Sequence, residues 1–148
     1  ALIEATAFGA LTIIKRIEEY GVKVSEVVNC GGLAVKNPML MQIYADITGR
    51  PMKVARSDQT CAVGAAIFGA AAAGPKASGF KSLRAIQDAV CGVRKTVYKP
   101  NPAAHKVYAA MYKNYRTLHD AFGTAAWSGQ LNQIMKDVIA LREKQRKS

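Results

Sequence analysis

The chain has 148 residues, 50% of them hydrophobic, three cysteines and a formal net charge of +11. Its length and apolar content suit one domain with a real core, and no stretch approaches the roughly 20 apolar residues that a membrane-spanning helix needs. The most apolar run, 61–73, is short and rich in Gly and Ala, and no basic segment with an apolar core opens the chain as a secretory signal would.

Leu2 to Tyr20 reads as a helix with Ile3, Phe8, Leu11, Ile14 and Ile17 on one broad face, closed by Gly21. The sequence opens inside this pattern without Met, and the expectation is an internal boundary of a longer protein. Val24 to Cys30, flanked by breakers, reads as a buried strand. A Gly31-Gly32 pair and a small-residue loop follow, ending at Asn37-Pro38. Asn37 is a good N-cap and Pro38 suits the first helical position, so a second helix is expected over Pro38 to Thr48, with Leu40, Ile43, Tyr44 and Ile47 in one stripe. Met52 to Ala55 reads as a second strand. Asp58 is then expected to cap a third helix reaching about Ala73, whose Ala62, Gly64, Ala65, Ala66, Gly69 and Ala70 leave room for another backbone to pack closely. Strand-helix-strand-helix order implies a parallel pair, hence α/β. Two strands make a poor sheet, so a raw edge and apolar helix faces are expected to be exposed.

Gly74 to Gly79 is rich in turn residues. Ser82 to Val90 then reads as a short helix, Val93 to Tyr98 as extended, Ala103 to Phe122 as a helix with Val107, Met111, Tyr115, Leu118 and Phe122 on its apolar face, and Gly129 to about Lys144 as a last helix through Leu131, Ile134, Met135, Val138 and Leu141. No repeat appears. Before Pro75 acids and bases nearly balance, so almost all the positive charge lies later. It is spread along helices and in a tail of Arg142, Lys144, Arg146 and Lys147, which favours a solvated face over a nucleic-acid or membrane patch. Cys30, Cys61 and Cys91 lack any CxxC pairing and are expected as reduced, small core residues of a cytoplasmic protein. His105 and His119 have no metal-ligand spacing, and neither a Ser-His-Asp nor a Cys-His arrangement can be assembled.

Glycine in a strand-to-helix turn often reflects the turn alone. Here the Gly31-Gly32 turn is followed by Gln42, Ala45 and Asp46 on the second helix, then Gly49-Arg50-Pro51, Ser57-Asp58-Gln59 and Ala62 to Ala66. That order, across Ala1 to Gly74, resembles the C-terminal end of the FGGY carbohydrate kinases, within the actin-like ATPase superfamily. The first helix, the segment Tyr98 to Gly123 and a one-residue difference in the Gly-Gly-to-Gln spacing resemble the branch acting on L-ribulose more than the glycerol or xylulose branches.

The resemblance implies a partial actin-like ATPase (ribonuclease H-like) domain, with 1–75 forming part of the kinase's second domain on its adenosine side. Residues 76–148 would be a mostly helical extension packing on that domain, with a homo-oligomer contact left open. It implies a kinase that transfers the γ-phosphoryl group of ATP, with Mg2+ held through the nucleotide and upstream residues, to L-ribulose or a related pentulose in arabinose catabolism. By resemblance Gly31 and Gly32 lie beneath the nucleotide, the loop through Leu33, Ala34 and Val35 follows the adenosine, and Lys36 or Asn37 meets base or ribose. Asn37 is preferred, although capping competes for its oxygen. The family's catalytic aspartate and phosphate-holding hairpin belong upstream, so no local residue is assigned catalysis and the isolated chain is expected to be inactive. Glu4 and Thr6 are better read as helix surface than as sugar contacts, Asp46 as helix surface or a local polar contact. The alternatives are an FGGY kinase for another pentose or polyol, and a non-enzymatic basic module binding nucleic acid.

Overall fold

Val27–Asn29 forms the first strand, β1, and Met52–Ala55 the second, β2, in a computed structural model that describes residues 1–125 and 127–147. They pair in parallel, Val27 opposite Met52 and Asn29 opposite Val54, as the strand-helix-strand order requires. The extended segment Val93–Tyr98 is a third strand, β3, antiparallel to β2 and shifted by an irregularity between Lys53 and Ala55. The sheet is therefore mixed, ordered β1-β2-β3, with three strands instead of two. Met52 and Val54 alternate inward with Lys53 and Ala55, the period-two pattern of a half-buried strand.

The segment predicted as a loop after the glycine pair is a short helix, α2, Gly32–Lys36. Nothing between Leu33 and Lys36 breaks a helical turn, and the buried Ala34 anchors it. Helix α3, Pro38–Thr48, follows at once. Met41 and Ala45 are fully buried although they lie outside the predicted stripe; of that stripe Ile47 is 1% exposed, while Leu40, Ile43 and Tyr44 are half-buried. Ala34, Met41, Ala45, Met52 and Val54 make the core here, with Val27, Val35, Leu40, Tyr44 and Tyr98 packed around them. Burying Met41 and Met52 contributes about 1.5–3 kcal/mol each.

Helix α4, Thr60–Ser78, keeps helical geometry as far as Ala73, the expected end. It kinks at Gly74 (φ 78°, ψ 169°), resumes with Pro75 at a first-turn position and ends on left-handed Gly79. Asp58 does not cap it; its carboxylate lies 2.5 Å from Arg94, whose charge holds it more strongly than a neutral amide would. Among the described residues nothing stands within 4 Å of where a Cβ at Gly64 or Gly69 would lie, so the small-residue face keeps the expected room at these two positions. Helix α5, Leu83–Val90, starts on Ser82, whose hydroxyl accepts from the Ala85 amide at 3.2 Å. The cysteines are not core residues: Cys30, Cys61 and Cys91 are all exposed free thiols.

These elements belong to one compact unit, Val24–Ala45 and Arg50–Lys99; the other comprises Ala1–Lys23, Asp46–Gly49 and Pro100–Ser148. In the second unit α1 (Leu2–Glu19) buries Ala7, Phe8 and Leu11, and the Gly21 amide donates to Glu18 at 2.9 Å with φ 85°. Phe8 meets Tyr108, Tyr112 and Tyr115 of α6 (Pro102–Gly123) at ring distances of 6.2, 5.9 and 5.5 Å. Tyr115 belongs to the predicted face, whereas Tyr108 and Tyr112 lie beside it, because an amphipathic tyrosine fills the contact while its hydroxyl reaches a partner. Tyr112 does so with Thr12, at 3.1 Å. The last helix, α7, is Ile134–Arg146, starting later than Gly129.

Asp46 is not on the surface. It is 8% exposed and accepts from the Asn101 amide at 2.7 Å, while its own carbonyl lies 2.7 Å from His105 Nδ1. The expected local polar contact is what it makes. Among the described residues no helix is long and apolar enough to cross a membrane.

Candidate nucleotide-binding turn

β1 ends on Asn29, whose side-chain amide donates to the Lys53 carbonyl at 3.3 Å and ties the ends of the two parallel strands together. Cys30 follows, exposed, and then the chain reverses at Gly31 with φ 90° and ψ 166°. A side chain at that φ is strained, so glycine is demanded by the backbone itself. Gly32 differs. It is the first residue of α2, it is exposed, and a Cβ there would point into open space. The two glycines are therefore not equivalent: one makes the turn, the other leaves room above it.

Beyond the turn the side chains divide. Ala34 is 7% exposed and packs into the core, so its methyl is not presented to a ligand. Leu33 and Lys36 are exposed, as is Met39 in the first turn of α3. Asn37 is half-buried, and its Oδ1 accepts from the Leu40 amide at 3.0 Å, the N-cap bond of α3. The competition between capping and ligand contact is thus decided for that oxygen. Gly32, Leu33 and Lys36 are exposed and Gly31 half-buried, whereas Ala34 and Asn37 are tied into the fold by packing and by the cap.

A separate apolar cavity of about 270 Å3 lies among α4, α5 and the strand ends, lined by Val28, Ala55, Val63, Ile67, Val90 and others, and none of the turn residues lines it. Arg56 donates to the carbonyl of Val90, one of the cavity's lining residues, at 2.9 Å. Among the described residues no group of three or more His, Cys, Asp or Glu could hold a metal ion. Asp46 and Asp58 are both engaged, by the Asn101 amide and by Arg94. Sequence reasoning missed the exposure of Met39, for which the only signal was an apolar residue at a position the predicted stripe does not use.

Residues 1–73 match the model of the FGGY family of carbohydrate kinases, C-terminal domain. The chain is similar to the ribulokinase of Geobacillus thermodenitrificans (strain NG80-2), 46% identical over 136 residues, 92% of this chain and 23% of the relative. It is similar also to those of Halalkalibacterium halodurans, 44% identical over 142 residues (96% of this chain, 24% of the relative), and Mycolicibacterium smegmatis, 41% over 142 (96% and 23%). It spans about a quarter of the length of these curated relatives. The glycine turn, the capped α3 and the parallel pair that supports them all fall inside the matched residues, and residues 1–73 belong to the FGGY family of carbohydrate kinases as its C-terminal domain.

Proposed function

We propose that this chain is the C-terminal part of an ATP-dependent sugar kinase that converts L-ribulose to L-ribulose 5-phosphate in the cytoplasm, in arabinose catabolism. Its own task is to hold the adenosine side of ATP and ADP. The observation that carries this reading is the Gly31-Gly32 turn, with one glycine fixed by φ and the other left bare, inside residues that match the family. The mixed sheet then forms part of an actin-like ATPase domain completed by the preceding portion of the kinase.

In this reading the nucleotide rests on the bare face at Gly32, against Leu33. Lys36, exposed and with no ion pair among the described residues, is a better polar contact than Asn37, whose oxygen is already used. Phosphoryl transfer depends on positioning and charge stabilisation, with a carboxylate accepting the hydroxyl proton. This chain supplies positioning. Its Asp46 and Asp58 are engaged by the Asn101 amide and by Arg94, and Mg2+ would be held through the nucleotide phosphates and upstream residues.

The test uses the complete protein, assayed for ATP-dependent phosphorylation of L-ribulose. Gly32→Val is expected to raise KM for ATP about tenfold or more with an unchanged melting temperature, because its side chain enters open space in the free protein. Gly31→Val is expected to lower the melting temperature as well, since φ 90° is hostile to a β-branched residue. An unchanged KM for ATP in Gly32→Val removes the nucleotide from this turn. Phosphorylation of another pentulose or polyol in preference to L-ribulose removes the substrate assignment.

A further inference from the structure

A groove runs between α6 and α7. Two cavities, of about 420 and 350 Å3, share Ala110, Leu141 and Lys144 in their walls and so form one continuous trough. Val107, Ala110 and Leu141 give it an apolar floor, with the alanine leaving space for a close approach. Lys106 lines one cavity, Lys113 the other and Lys144 both, and none of the three has an ion pair among the described residues. The one carboxylate in the lining, Asp137, already accepts from Gln133 at 3.1 Å.

Residues 101–148 carry eight Lys and Arg against three acids, so the trough sits in a positive field. Lys106 and Lys113 are two helical turns apart, a rise of about 10.5 Å. A helix laid along α6 with glutamates seven residues apart repeats that spacing. Its apolar stripe would bury against Val107, Ala110 and Leu141 as a third helix does in a groove between two.

We propose that the α6–α7 trough is a docking site for an acidic amphipathic helix of a second protein. The same trough of a second copy is the wrong partner, since its lysines would meet these lysines, like charge against like. Nucleic acid is a poorer match, because the trough is lined by lysines with no arginine or aromatic side chain on which bases stack. The site is remote in kind from nucleotide binding and goes beyond the kinase reading.

The test uses the complete protein and a fluorescent synthetic helix of about 18 residues, with leucines on one stripe and glutamates seven apart beside it. Binding is read by anisotropy, so it stands or falls independently of kinase activity. The expected result is binding at about 50 mM NaCl that weakens at least tenfold at about 500 mM. The Lys106→Glu, Lys113→Glu, Lys144→Glu protein is expected to lose the glutamate helix by about tenfold or more and to gain the same helix rebuilt with lysine, a swap that misfolding would not produce. The proposal is overturned by no binding, by equal binding of the acidic and basic helices to the unaltered protein, or by tighter binding of single-stranded DNA than of the acidic helix. Binding to the 148-residue chain but not to the complete protein also overturns it, since the trough would then be covered by the protein itself.

Discussion

Gly49 shows how one residue joins a backbone need to a packing need. It sits at φ 67°, and a Cβ there would lie 2.8 Å from Cε1 of His105. Gly49→Ala is therefore expected to destabilise the protein by about 1–3 kcal/mol in urea unfolding. Adding His105→Ala should recover part of this, the contact, but not the share due to φ; full recovery would show that the backbone is unstrained. Tyr108, whose hydroxyl donates to Glu4 at 3.1 Å, is pushed from 10.0 up to about 12, mainly by burial and then by the Glu4 charge. A raised pKa means a contribution fully present below pH 10.0 and lost as pH rises towards about 12. Tyr108→Phe should flatten the loss of stability across that window in alkaline unfolding curves, and an unchanged slope would deny the coupling. Residues whose role is local were legible: Gly21 closes α1, and Asn37 and Pro38 start α3, because capping depends only on neighbours. Asp58 was not, since Arg94, 36 positions away, takes its carboxylate.

Among the elements, α6 has the best-built beginning. Asn101 Oδ1 accepts from the Ala103 and Ala104 amides at 2.9 and 3.3 Å, and Asp46 takes the amide of Asn101 itself. Two side chains thus satisfy three donors, and the carboxylate faces the positive end of the helix. Asn101→Ala is expected to cost about 1 kcal/mol and Asp46→Ala about 1–3 kcal/mol, both measured by chemical denaturation. Asp46→Asn keeps an acceptor and should cost less than Asp46→Ala; the reverse order would sink this account. Asn101-Pro102 announced the helix in the sequence, but nothing announced Asp46, because its partner lies 55 residues on. β3 was visible only as an extended run, and its pairing with β2 depends on long-range register. α2 was hidden because a five-residue helix leaves too few positions for a period to show.

At the scale of the whole molecule, apolar side chains remain at the surface. Val28 is 48% exposed, Leu33 65%, Met39 61% and Phe68 68%, all in the sheet-bearing unit. The edge and helix faces that an incomplete sheet should leave bare were legible from counting strands; which side chains occupy them was not, because Met41 and Ala45, outside the predicted stripe of α3, take the buried positions in this unit. The isolated chain is expected to bind an apolar fluorescent dye more strongly than the complete kinase, and Phe68→Ser to reduce that signal. Equal dye binding by both would mean that these side chains stay exposed in the complete protein.

The exposed thiol of Cys30 gives the turn an accessible reporter. It stands one residue before Gly31, between the strand that anchors the loop and the glycine that reverses it. A maleimide dye attached there, with the other two thiols blocked or replaced, would watch the turn directly without any engineered cysteine.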